Sequence, residues 1–102
     1  MTTVWYKMGV HGRLCDAAQE GFRKFCWFWS KKGYGDIYVT SIQEGTHLPY
    51  SFHYSGRAFD VRYPASGKPN EAEFESAFKK IAGQGWDVVF EPTHIHVEME
   101  NT

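Results

Sequence analysis

The chain has 102 residues, of which 42% are hydrophobic and 18% aromatic, and its eleven basic and twelve acidic residues leave a net charge of -1. That length suits one domain with one modest core and is short for two. The interspersed charge gives no electrostatic footprint for nucleic acid or an anionic membrane. There is no apolar run of the roughly 18 residues that a membrane span needs, and the first 14 residues lack the apolar stretch of a secretory signal. The expectation is a monomer made in the cytoplasm that binds neither nucleic acid nor membrane.

In chain order, Leu14, Ala18, Phe22, Phe25, Cys26 and Trp29 recur at helical spacing and predict a helix over residues 14–31 with one apolar stripe. Lys31, Lys32 and Gly33 supply a cationic end and a stop. Cys15 and Cys26 both fall in this predicted helix, about 16 Å apart at 1.5 Å per residue. Disulfide formation needs Cα atoms within about 7 Å, so reduced thiols are expected. Residues 36–42 (DIYVTSI) are rich in β-formers and read as a strand. Residues 43–56, dense in turn formers and aromatics, read as a long loop of the kind that often carries function.

A strand is expected over residues 58–63, followed by a turn-forming segment that ends at Asn70. Asn70 is a candidate N-cap for a helix over residues 71–82, with Phe74, Ala77, Phe78 and Ile81 on its apolar face and Gly83 after its end. Residues 86–90 (WDVVF) and 94–99 (HIHVEM) give two further strands. Helices and strands do not alternate strictly. The predicted fold is therefore α+β: a small single domain over residues 1–102, with a mainly antiparallel sheet and two helices packed on it.

Two segments concentrate the chemistry, Ser51 to Asp60 (SFHYSGRAFD) and Glu91 to Glu98 (EPTHIHVE), which together hold three of the five histidines. In the second, Pro92 and Thr93 form a tight connection that pairs Glu91 with His94 and Val89 with His96. Strand alternation puts Glu91, His94 and His96 on one face, with Ile95 and Val97 on the core side. In the first segment, Gly56 permits a sharp turn after His53, and the following strand puts Asp60 where it can face His96. Two imidazoles and one carboxylate suit zinc in an open site, with a fourth position left for water. Asp60 lies between Phe59 and Val61, an unfavourable place for a carboxylate without a cation or hydrogen bonds to hold it.

The pattern Ser-x-His-x-x-Gly-x-Ala-x-Asp, followed downstream by His-x-His, resembles the zinc D-Ala-D-Ala carboxypeptidase family, which phage cell-wall endopeptidases share. It is also similar to the hedgehog signalling domain, over about residues 40–98. The resemblance implies a hedgehog/carboxypeptidase-like fold and a Zn2+ ion held by His53, Asp60 and His96. It implies Glu91 as general base, although in the hedgehog pattern the corresponding acid lies one residue further upstream. Glu91-x-x-His94 also fits an acid-x-x-His version of the family that would make His94 the ligand; otherwise His94 is a neighbour of the metal. His47, Ser51 and Arg57 are candidates for substrate or supporting contacts. Arg57, Arg62, Tyr50 and Tyr54 flank the proposed metal and could hold substrate, although surface solvation and packing explain them equally well.

The function this resemblance implies is hydrolysis of D-amino-acid-containing stem peptides of peptidoglycan, by carboxypeptidase or endopeptidase action. A chain this short fits a minimal catalytic unit of the bacteriophage lysis type, acting on the wall after release. A hedgehog-like zinc-binding interaction module without peptidase activity is the alternative. A metal-dependent nicking nuclease also uses His-hydrophobic-His on a strand, but the tyrosine with lysine three residues later that usually accompanies it is absent, and the charge is wrong for phosphate binding. Glu98 is read as a solvated or sheet-edge carboxylate, Glu44, Glu71 and Glu73 as ordinary surface charges, and His11 as an ordinary surface or core histidine.

Overall fold

The computed structural model describes residues 3–10, 14–42 and 56–99. Among these residues five strands and two helices follow in the order β1 (Val4–Tyr6), α1 (Asp16–Lys31), β2 (Ile37–Ser41), β3 (Ala58–Arg62), α2 (Glu71–Ala82), β4 (Trp86–Phe90) and β5 (His94–Met99). The strands form one sheet in the order β1-β2-β3-β5-β4. Among the described residues only the β1–β2 pairing is parallel; β2–β3, β3–β5 and β4–β5 are antiparallel. The α+β class and the mainly antiparallel sheet are as the sequence predicts.

Alternation along the strands separates two faces. Ile37, Val39, Phe59, Val61, Val88, Ile95 and Val97 are buried on the side that carries the helices. From α1, Phe25 packs edge-on against Phe59 at 5.2 Å and Phe78 at 5.4 Å, and Phe28 against Phe74 of α2 at 5.0 Å. Gly21 of α1 is buried where the chain can carry no side chain: an added Cβ would fall 1.8 Å from Cζ2 of Trp86.

Helix α1 starts at Asp16, two residues later than the periodicity predicts. Cys15 is its extended N-cap, and Leu14 is buried without being helical. An apolar residue ahead of a helix and one inside its first turn give the same sequence signal. Phe28, absent from the predicted stripe, is 1% exposed and is a main contact to α2. Both cysteines are free. Helix α2 has the predicted bounds, and Asn70 Oδ1 accepts the Glu73 amide at 3.0 Å as its cap. Strand β1 was not anticipated, since three residues are too few to show a period.

Between β2 and β3 the ladder slips: Val39 pairs with Val61, but Ser41 pairs with Asp60. Thr40 is thus the extra residue of a β-bulge. No helix among the described residues is long and apolar enough to cross a membrane.

Candidate functional site

The antiparallel pairing of β3 with β5 sets Asp60 directly opposite His96 and Arg62 opposite His94. Across the other edge of β5, Val89 pairs with His96, and the Glu91 amide donates to the His94 carbonyl at 2.9 Å. This is the register expected from a tight Pro92-Thr93 connection. Asp60, His94, His96 and Glu98 therefore share the sheet face away from the helices, while Ile95 and Val97 are fully buried on the other.

Asp60 is the one charged residue in the described core, at 8% exposure. Its carboxylate lies between two imidazoles: Oδ1 is 2.8 Å from His96 Nδ1, and Oδ2 is 3.6 Å from His94 Nε2. The opposite nitrogen of His96, Nε2, donates to Glu98 Oε1 at 2.6 Å. Burial alone would depress the pKa of His96, but the hydrogen bond and charge of Asp60, followed by those of Glu98, outweigh it and hold the ring above its ordinary value. Each ring nitrogen thus faces a carboxylate oxygen.

Glu98 is the residue whose role the sequence reading missed. It is half-buried and bonded to His96 rather than solvated. The signal was available, because Glu98 stands two residues after His96 and strand alternation returns it to the same face.

One carboxylate and one imidazole are donor types that zinc accepts. Two donors on one tetrahedral zinc at 2.0–2.1 Å stand about 3.3 Å apart, whereas Asp60 Oδ1 and His96 Nδ1 are hydrogen-bonded at 2.8 Å, so to hold zinc the pair would give up its shared proton and open by about 0.5 Å. A carboxylate that takes the far N–H of a ligating imidazole is the usual support of such a ligand, and Glu98 occupies that position. His53, the third expected ligand, lies outside the described residues, as do His47, Ser51, Tyr50 and Tyr54. Among the described residues alone, no group of three His, Cys, Asp or Glu is arranged to hold a metal ion.

Other expected site residues are located as follows. His94 Nδ1 is 3.1 Å from the Thr93 hydroxyl. Arg57 Nε donates to the Met99 carbonyl at 3.2 Å, and the Met99 amide returns a bond to the Arg57 carbonyl, so this side chain is tied to the end of β5. Glu91 is half-buried; the Tyr63 hydroxyl donates to its backbone carbonyl. Among the described residues, no hydrogen bond or ion pair joins its carboxylate to Asp60, His94 or His96. Gly56, at φ 71°, makes the positive-φ turn expected just before β3.

Beside Asp60 a polar groove of about 320 Å³ opens, lined by Lys7, Thr40, Ser41, Asp60, Arg62, Thr93 and His94. In a regular strand Thr40 and Ser41 would point to opposite faces; the bulge at Thr40 lets both line this groove. Comparison of the chain with family models, with curated proteins and with solved structures finds no match.

Proposed function

We propose that the chain is a zinc-dependent peptidase that hydrolyses D-amino-acid-containing stem peptides of bacterial peptidoglycan. The observation that carries this reading is the cross-strand pair of Asp60 and His96, 2.8 Å apart, with the far nitrogen of His96 held by Glu98. It rests also on the resemblance of Ser51 to Asp60 and of the His94-Ile95-His96 segment to zinc cell-wall peptidases of hedgehog-like fold. His53, Asp60 and His96 would hold the ion, and Glu98 would fix the His96 ring so that Nδ1 is directed at it. When bound, zinc supplies a Lewis acid for the scissile carbonyl and makes a water molecule nucleophilic near neutral pH.

The remaining work falls to the chain's own side chains. Glu91 would take the proton of the attacking water on its carboxylate and return it to the leaving amine. His94, 3.6 Å from Asp60 Oδ2, is placed to orient that carboxylate or to donate to substrate. Asp60, nearly buried, concentrates negative charge where a cation is to be held.

A second reading is a zinc-binding interaction module, favoured by one observation: among the described residues, no hydrogen bond or ion pair joins the Glu91 carboxylate to the Asp60–His96 pair. Release of amines from purified peptidoglycan by the zinc-loaded chain separates the two. The peptidase reading expects release that is lost in Glu91→Ala and in His96→Ala. If zinc-loaded wild type releases nothing from several wall chemotypes, the binding module replaces it.

A further inference from the structure

We propose that the groove beside Asp60 is a carboxylate-binding subsite, in which Arg62 and Lys7 hold a carboxylate of the peptide whose scissile bond lies at Asp60 and His96. The inference rests on the peptidase reading and specifies how substrate would be held.

The groove walls carry two cations, Lys7 and Arg62, and three hydroxyls, Thr40, Ser41 and Thr93. Their one carboxylate, Asp60, is engaged by His96 and His94. Among the described residues neither Lys7 nor Arg62 has an ion-pair partner, so the charge they bring into the groove is not offset there. Two cations with hydroxyl donors around about 320 Å³ suit a small anion on a peptide, and the planar fork of arginine matches a carboxylate.

Arg62 is also held in place. Its guanidinium lies over the Tyr38 ring at 5.8 Å, and Tyr38 stacks on Trp5 at 6.5 Å and 14°. Trp5 is fixed in turn by its Nε1–H, which donates to Asp36 Oδ2 at 3.0 Å. This row crosses the open face in register: Trp5 pairs with Tyr38, Tyr38 stands one step from the Val39–Val61 pair, and Arg62 pairs with His94. A guanidinium propped on an aromatic row loses less freedom when it binds. Lys7 reaches the groove because the parallel pairing of β1 continues through the Lys7 amide, which donates to the Val39 carbonyl at 2.9 Å.

The carboxylate has two possible sources in a stem peptide, the C-terminal D-alanine and the α-carboxylate of the internal D-glutamate. The test uses the zinc-loaded chain and two probe pairs. One is diacetyl-L-Lys-D-Ala-D-Ala and its C-terminal amide; the other is L-Ala-γ-D-Glu-L-Lys and its D-isoglutamine counterpart. Calorimetry gives affinity, NMR follows the Arg62 Nε–H, and turnover is read separately.

For one pair, the free carboxylate is expected to bind about tenfold tighter than its amide, and the pair that discriminates names the source. Arg62→Ala is expected to abolish that preference, Lys7→Ala to reduce it several-fold, and Arg62→Lys to restore part of it. Both side chains are exposed, so the variants should fold as wild type does. Absence of binding, equal binding of acid and amide in both pairs, or a preference that survives Arg62→Ala overturns the subsite. Cleavage without carboxylate preference would leave the peptidase reading intact and remove this one. Carboxylate preference without cleavage would keep the groove as a carboxylate-binding site, and amine release from wall material would then decide the peptidase reading.

Discussion

Asp60 and His96 face each other across the β3–β5 ladder, with Oδ1 2.8 Å from Nδ1, and Glu98 holds the same imidazole from its far side at 2.6 Å. The three side chains form a line of carboxylate, imidazole and carboxylate in which only the Asp60 side belongs to the proposed ligand set. Glu98 then acts through His96. Glu98→Ala should weaken zinc binding 10- to 100-fold, measured by competition with a chromophoric chelator, while the far-ultraviolet spectrum stays that of wild type. Glu98→Gln should fall between, because an amide oxygen still accepts the Nε2 proton but brings no charge. Unchanged affinity in Glu98→Ala would mean that the ring is oriented by something else.

How much of this was legible in the sequence depended on how local the determinants are. Helix α2 and strands β4 and β5 were read with their observed bounds, because Asn70, Gly83 and the Pro92-Thr93 connection mark their ends within a few residues. The same locality set the β4–β5 register, and strand alternation then put Asp60 and His96 on a common face. Long-range features were not legible. Nothing in residues 4–6 shows that they lie parallel to β2, so the position of Lys7 beside Thr40 could not be foreseen. The bulge at Thr40 is a property of two paired strands and leaves no mark on either one alone. Glu98 is a different case: its face is implied by its spacing from His96, but an acidic residue near a strand end reads equally as a solvated or sheet-edge carboxylate.

Cys26 offers a check on the packing of α1 that is independent of the site. Burial pushes its thiol up to about 11, so the folded chain holds it neutral well past the range in which an unfolded cysteine ionises. At pH 8 the folded form should carry about a hundredfold less thiolate there than an ordinary cysteine, and alkylation by iodoacetamide should be correspondingly slow until urea unfolds the chain. The sign of the linkage follows. The folded value exceeds the unfolded one, so this contribution to stability is intact below pH 9 and is lost as pH rises toward 11. Mass-spectrometric mapping of label at Cys26, native against unfolded, reads the effect directly. Equal rates in the two states would show that α1 does not cover this thiol.

Gly21 sets two tendencies against each other. Alanine is favoured over glycine in a helix interior by about 1 kcal/mol, but a Cβ at this position would meet the Trp86 indole at 1.8 Å. Trp86 cannot move aside cheaply, since its ring also packs on Phe78 at 5.9 Å and Phe59 at 6.3 Å. The clash should win, and Gly21→Ala should destabilise the chain by about 1–3 kcal/mol in chemical denaturation. Adding Trp86→Leu should make the alanine far less harmful, because the two effects share one contact. A stabilising Gly21→Ala would place the indole elsewhere.

Metal removal distinguishes the proposed site from adventitious zinc. A ligand that binds only the folded chain at a hundred times its Kd stabilises it by about 2.7 kcal/mol. In a domain of this length that corresponds to a rise in Tm of roughly 10 °C or more. Zinc should produce such a rise in wild type, and a chelator should reverse it. Asp60→Asn keeps the shape of the side chain but gives up its charge, and His96→Ala removes the imidazole; both should lose most of the rise. Arg62→Ala lies in the adjoining groove without belonging to the ligand set, so its rise should match wild type. If zinc raised Tm equally in wild type, Asp60→Asn and His96→Ala, the ion would bind elsewhere on the chain. The cross-strand pair would then be a buried hydrogen-bonded network, held by Glu98 and His94 for the stability of the sheet.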